Sequence, residues 1–396
     1  MGQATGLPTE RPLAERAIPM ETLTHAVETG GDLAALDALL ASLPNLPAVF
    51  AVWPAEGEPY LSKTGMLRRR LLRLLAARER PSRLLNLRES VRRIEYQITG
   101  SAFESAVLLY HHARRLFPDR YLKLLKLRMP PYVKIVMRNE YPRSLIAAHL
   151  SRGPGAYFGP FRSRASAERF ESQFLDLFQM RRCQEDLQPS PDHPGCIYGE
   201  MNLCLRPCQQ VVGAAEYGHE VDRVLEFLRS DGQSLEGAIV HSRDRLSEQM
   251  QFEEAARQHK RLEKVQEVLK LRDELARDID RLHGVAVLPS AAPNAVELWF
   301  VAAGHLQPAA RLGFEVEEGK PVSLDHKLRE MLPALGPIQG SVRDRQESLA
   351  LLARWYYSSW RDGEWLPFDD FAAIPYRKLV NAVSRVAHGV AATTDS

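Results

Sequence analysis

The alternation of apolar and polar positions divides the chain into successive stretches with different periods. Leu33, Leu36, Leu39 and Leu40 fall on one side of a helical wheel, which predicts a helix over about 21–43 that stops at LPNLP. AVFAVW and the shorter EPYLS, separated by the polar AEGE turn, predict two strands. In MLRRRLLRLLAARER the arginines surround a leucine stripe, the mark of an amphipathic helix, and Pro81 would end it. VRRIEYQIT alternates as a strand does, SAFESAVLLYHHARRLF is helical up to Pro118, and YVKIVM is a further strand. Together these predict a helical segment over 1–43 and a small mixed α/β unit over 44–140.

Further along, GPGAYFGPFRSRASAERFESQFLDLFQM predicts a glycine-rich loop leading into a helix. Gly153, Gly155 and Gly159 do not make a dinucleotide fingerprint, because Pro154 separates the first two and no βαβ pattern encloses them. The rest of 141–215 is rich in proline and short on periodicity. Residues 216–282 are almost purely helix-forming and predict a helical hairpin. GVAVLPS, VELWFVAAG and HLQPAARLGFEVE return to strand patterning before two closing helices, giving a carboxy-terminal α/β domain over 283–396. The fold class read from these patterns is a multidomain α/β protein.

Composition adds little until charge is followed along the chain. The 396 residues carry a net +2, yet Tyr60 to Arg143 holds 20 Lys or Arg against 6 Asp or Glu, leaving −12 for everything else. A one-sided window of this length, interleaved with Tyr96, Tyr110, Tyr121 and Tyr132, predicts a phosphate-binding surface in preference to solvated helix faces. No window suggests a signal peptide or a membrane span, so the expected compartment is the cytoplasm. All four cysteines lie between Cys183 and Cys208, spaced by twelve, seven and three residues. A secreted disulfide scaffold would scatter them; a soft metal site gathers them.

The order of motifs resembles a known family. Ala48-Val49-Phe50, then Tyr60-Leu61-Ser62-Lys63, then Leu67 and Arg70, is similar to the LPxxPGVY, YIGK and LxxR series of GIY-YIG endonuclease domains. The likeness continues through Pro118, Pro131-Tyr132 and Tyr157-Phe158-Gly159-Pro160-Phe161, in the manner of the amino-terminal half of the UvrC family, the incision subunit of bacterial nucleotide excision repair. In that family a tyrosine orients the attacking water, an arginine and a lysine hold the phosphate, and a glutamate anchors one Mg²⁺. The resemblance implies catalytic positions at Tyr60, Lys63 and Arg70, and DNA contacts from Lys63, Arg68, Arg69, Arg70 and Arg73.

Four positions depart from the family pattern. The glutamate position is Leu109, the first tyrosine is Phe50, the YIG glycine is Ser62 and the family asparagine is Tyr121. A hard cation needs oxygen ligands, and leucine offers none. Glu104, on the same helix, is about 140° around the axis from Leu109 and is poorly placed to replace it. The expectation is a degenerate domain that holds DNA, has lost its Mg²⁺ site and does not cut.

The remaining motifs extend the resemblance. Cys183, Cys196, Cys204 and Cys208 correspond to the family's four-cysteine segment, which implies a [4Fe–4S] cluster, with zinc as the alternative. Phe252, Glu253, Ala255 and Ala256 match the core of the UVR motif, whose hairpin docks on UvrB in that family; an intramolecular hairpin remains nearly as good a reading, and His259-Lys260 replaces the family's Arg-Asp pair. The family's second nuclease follows a segment like VELWFVAAGHLQPAARLGFE, and residues 311–396 show no spaced set of acids, so a second incision centre is not expected here. Two other readings stay open: an active single-strand incision endonuclease, and an iron–sulfur redox-responsive regulator.

Overall fold

The computed structural model describes residues 23–29, 33–77, 85–314, 316–317, 320–321, 323–331 and 340–389. Its first sheet is built on the hairpin of β2 (Ala48–Pro54) and β3 (Tyr60–Thr64), which turns through Gly57 at a φ of 94°. β4 (Val91–Ile98) pairs with the other edge of β2, and β1 (His25–Glu28) pairs with β4, giving an antiparallel order β1-β4-β2-β3. The helix expected over 21–43 is therefore corrected. Its start is a strand, and only α1 (Leu33–Ser42) is helical. His25 to Glu28 satisfies its backbone on the edge of β4, a partner about 65 positions away that local periodicity does not reveal.

One face of this sheet packs on α1 and on α2 (Leu67–Leu75), through Leu36, Leu40, Phe50, Ile94 and the leucine stripe of α2. The stretch around Pro81, expected to end α2, lies outside the described residues. The other face, through Val49 and Ala51, meets Leu108 of α3 (Ala102–Leu116). After α3 the short α4 (Tyr121–Leu125) closes with Lys126 in the left-handed region.

The strand YVKIVM is β5 (Tyr132–Val136), and it pairs in a second sheet rather than the first. Its order is β6-β5-β7-β8, with β6 (Arg143–Ala147), β7 (Gly155–Gly159) and the two-residue β8 (Arg277–Asp278). The unit expected over 44–140 thus gives its last strand to the next sheet. The segment read as a glycine-rich loop is largely strand β7. Gly159 sits at a φ of 155°, and a Cβ there would come within 2.7 Å of the Tyr132 ring.

A core of Phe158, Phe161, Phe170 and Phe174 joins this sheet to α5 (Arg164–Leu175). The same core takes in α7 (Ala214–Arg229), α8 (Gln233–Glu248) and α9 (Phe252–Lys270). The helical region is three helices where a hairpin was expected. Asp231-Gly232 breaks it once and Met250 again, each at positive φ, and the hairpin proper is α8 with α9. The cysteine segment between α5 and α7 contains only the one-turn α6 (Ile197–Glu200) and a single 3₁₀ turn.

The third sheet, of β9 (His283–Pro289), β10 (Ala295–Ala302), β11 (His305–Leu306), β12 (Ala310–Gly313) and β13 (Glu364–Phe368), separates two cores by strict alternation. Val285, Val287, Leu298 and Phe300 face α10 (Leu324–Met331) and α12 (Tyr376–Ala387). Ala286, Leu288, Trp299 and Val301 face α11 (Val342–Tyr356) and α3. Phe103 of α3 meets Trp299 edge-on at 5.6 Å and Trp355 at 5.1 Å. The first and last units of the chain therefore share a core. No helix among the described residues is long and apolar enough to cross a membrane.

Candidate functional site

The β2–β3 register sets Phe50 opposite Ser62 and Val52 opposite Tyr60, and α2 begins three residues after β3 ends. The consequence is a small constellation on the α2 face of the sheet. The Arg70 guanidinium donates to the Tyr60 hydroxyl at 2.9 Å, and the Phe50 ring lies 6.1 Å from the Tyr60 ring. Because Leu67, Leu71, Leu74 and Leu75 are buried, Arg68, Arg69 and Arg73 are left on the outer side of the helix. Arg68 reaches back to the Ala41 carbonyl at the end of α1.

Lys63 does not join this group. Three positions along a strand reverse the side chain, so Lys63 projects with Leu61 from the face opposite Tyr60. There its ammonium stands 5.6 Å from the Trp360 ring. Burial of the surroundings, then the Arg354 charge, lower its pKa, and Asp362 opposes them. Asp362 is itself engaged: its carboxylate accepts from the Ala102 N–H at 2.5 Å and the Trp355 indole N–H at 3.0 Å. Trp360, Asp362 and Arg354 belong to a segment some 300 positions from Lys63, and no local signal in the sequence marks them.

Leu109 lies among Trp53, Leu61 and Leu108, so the position that would carry a metal-binding carboxylate is part of an apolar cluster. Glu104 is turned away from it. Its carboxylate accepts from the Gly100 N–H at 2.7 Å, and burial pushes its pKa up to about 7, with Glu297 of β10 adding repulsion. Tyr121 is buried against α11, and its hydroxyl donates to Glu347 at 2.5 Å, as does that of Tyr110. Glu347 is almost fully buried and also accepts from Arg343 at 2.9 Å. This carboxylate joint between α3, α4 and α11 is the feature that sequence reasoning missed most completely.

The four cysteines are free thiols held in one loop region, Cys204 and Cys208 buried, Cys183 half-buried and Cys196 exposed. The loop is pinned by Ser190 N–H to the Cys208 carbonyl and by Gln179 to Asn202. Burial pushes the Cys204 thiol up to about 11, and the other three cysteines each add to the rise. A thiolate in such surroundings needs a compensating cation. Two donors already point at sulfur: the buried Arg181 guanidinium at 3.0 Å from Cys183 Sγ, and the Arg206 N–H at 3.4 Å from Cys204 Sγ. His193 is occupied elsewhere, its Nδ1 accepting from the Gly195 N–H. The donor set suits a soft metal, although among the described residues no three His, Cys, Asp or Glu side chains are already arranged to hold one ion.

Phe252, Glu253, Ala255 and Ala256 stand at the tip of the α8–α9 hairpin, where Met250 turns the chain. Ala255 is turned into the hairpin; Phe252, 65% exposed, and Ala256 face outward beside Met250.

Comparisons with known proteins find one group of relatives. The family model for the middle domain of UvrC/Cho excinucleases matches residues 130–227, beginning just before β5. UvrABC system protein C of Lachnospira eligens is 27% identical over 290 residues, covering 72% of this chain and 47% of its own. The corresponding protein of Dehalococcoides mccartyi is 26% identical over 272 residues, 67% of this chain and 44% of its own. That of Xanthomonas campestris pv. campestris is 30% identical over 225 residues, 56% of this chain and 35% of its own. The chain spans less than half the length of these curated relatives, and no solved structure matches it. Through this middle segment, and in alignments covering up to 72% of its length, the chain is similar to UvrC proteins.

Proposed function

We propose that this UvrC-like chain binds DNA within nucleotide excision repair, without cutting it. The observation that carries the reading is α2, whose leucines are buried and whose arginines face outward beside the Tyr60–Arg70 pair. An arginine row of this kind neutralises phosphates and releases their counterions without reading sequence. One feature favours a degenerate GIY-YIG domain over an active one: Leu109 is embedded among Trp53 and Leu61. Mg²⁺ would lack its carboxylate.

In the same reading Cys183, Cys196, Cys204 and Cys208 would hold a [4Fe–4S] cluster, or zinc in its place, and the cluster would supply the positive charge that these thiolates need. Arg181 would orient Cys183. The exposed tip at Phe252, Glu253 and Ala256, with Ala255 beneath it, would dock on a UvrB-like partner, Phe252 acting as the aromatic anchor.

The test is the affinity of the purified chain for duplex DNA across a salt series. Replacing Arg68, Arg69 and Arg70 together with Gln should weaken binding and flatten the salt dependence by about 2 to 3 in log–log slope. Unchanged affinity and slope would defeat the reading.

A further inference from the structure

A second basic feature lies away from α2, and the sequence did not single it out. Between the end of α4, the start of α5 and the last turns of α11 is a cleft of about 760 Å³. Lys126, Arg128, Arg162, Arg164 and Arg354 line it, and no acidic side chain does. Among the described residues, no carboxylate lies within ion-pair distance of Lys126, Arg128, Arg162 or Arg354, whereas Arg164 is paired with the exposed Glu168 at 2.7 Å.

Two of the cations, Arg162 and Arg354, are held in place by contacts that leave their charge unneutralised. The Arg162 guanidinium lies 5.2 Å over the Tyr357 ring, and the Tyr357 hydroxyl donates to the Pro160 carbonyl at 2.9 Å. Arg354 donates to the Leu125 carbonyl at 3.0 Å, which sets it across from Lys126. The nearby Asp273 is used up on the Arg162 backbone N–H and the Ser166 hydroxyl. Beneath the cations the floor is apolar, with Met129, Pro131 and Ala353.

A cleft of this volume has the size of a nucleotide site. Cations at the rim and an apolar, aromatic floor suit a phosphodiester with its base better than they suit a bare anion. Resting on the DNA-binding reading above, we propose that this cleft receives an unpaired nucleic-acid strand, phosphates on Arg128, Arg162, Lys126 and Arg354 and a base against Tyr357.

Fluorescence anisotropy of a labelled oligothymidylate with the full chain tests this. The double variant Arg128→Gln/Arg162→Gln should bind about tenfold more weakly at low salt, with a log–log salt slope shallower by about 1.4. Arg128→Lys/Arg162→Lys should recover most of the affinity, and a blunt duplex should compete poorly with the strand. Equal thermal midpoints for all variants separate lost contacts from lost folding. If the Gln pair binds the strand as the wild type does while the α2 triple variant loses duplex, the cleft proposal falls and the proposed function stands. Strand binding lost in the Gln pair with duplex binding intact supports the cleft. A wild-type chain that binds neither strand nor duplex overturns both.

Discussion

At the scale of single residues, the structure explains two of the departures from the family pattern by what the substituted side chains now do. Tyr121 is a donor to the buried Glu347, and Leu109 fills an apolar gap. Tyr121→Phe leaves Glu347 with one fewer donor and should cost about 1.5–3 kcal/mol in urea unfolding, with no change in DNA affinity. An equal loss of DNA affinity would return Tyr121 to the binding site. Glu104 gives a pH signature. Its folded pKa, raised from 4.5 to about 7, means that its favourable contribution is complete below pH 4.5 and is lost as pH rises through 7. Relative to Glu104→Gln, the wild type should lose about 3 kcal/mol between those limits, measured by denaturant midpoints across the pH range. A constant difference would show that the carboxyl titrates normally.

Elements were legible in the sequence where one short period decided them. Strands β2, β3 and β4 of the first sheet, β9, β10 and β12 of the third, and helices α3, α5, α11 and α12 fall where apolar spacing put them, whereas β1 and the strand Glu364–Phe368 do not. What failed was pairing at a distance. β1 exists because β4 offers an edge, β5 belongs with β6 and β7, and β8 returns from beyond the hairpin to close the second sheet. Strand alternation, by contrast, was available from the start: Tyr60 and Lys63 are three apart and must face opposite sides, so one catalytic constellation containing both needs a third element to bridge them. The α8–α9 hairpin allows surface and core to be separated in one element. Phe252→Ala, at an exposed tip, should leave the thermal midpoint unchanged and abolish capture of a UvrB-like partner. Leu262→Ala, in the buried core, should cost about 2–5 kcal/mol in the same chain. If Phe252→Ala destabilises as much as Leu262→Ala, the tip is structural.

On the scale of the whole molecule, the candidate site was half visible. The charge segregation and the cysteine spacing could be read directly, because both are properties of composition within a window. The approach of Lys63 to the Trp360 ring, the Glu347 joint and the cleft between α4, α5 and α11 could not, because each joins elements distant in the chain. These contacts make the first unit and the carboxy-terminal unit one packed body around α3. The central claim is that this body holds DNA without cutting it. Strand cleavage of a damaged duplex by the purified chain, with UvrA, UvrB and Mg²⁺ or Mn²⁺, tests it most directly when Tyr60→Phe and Arg70→Ala are run beside the wild type. The account predicts DNA binding with no cut strand from any of the three proteins. Cleavage by the wild type that both variants lose would contradict it and make the Tyr60–Arg70 pair a working active site.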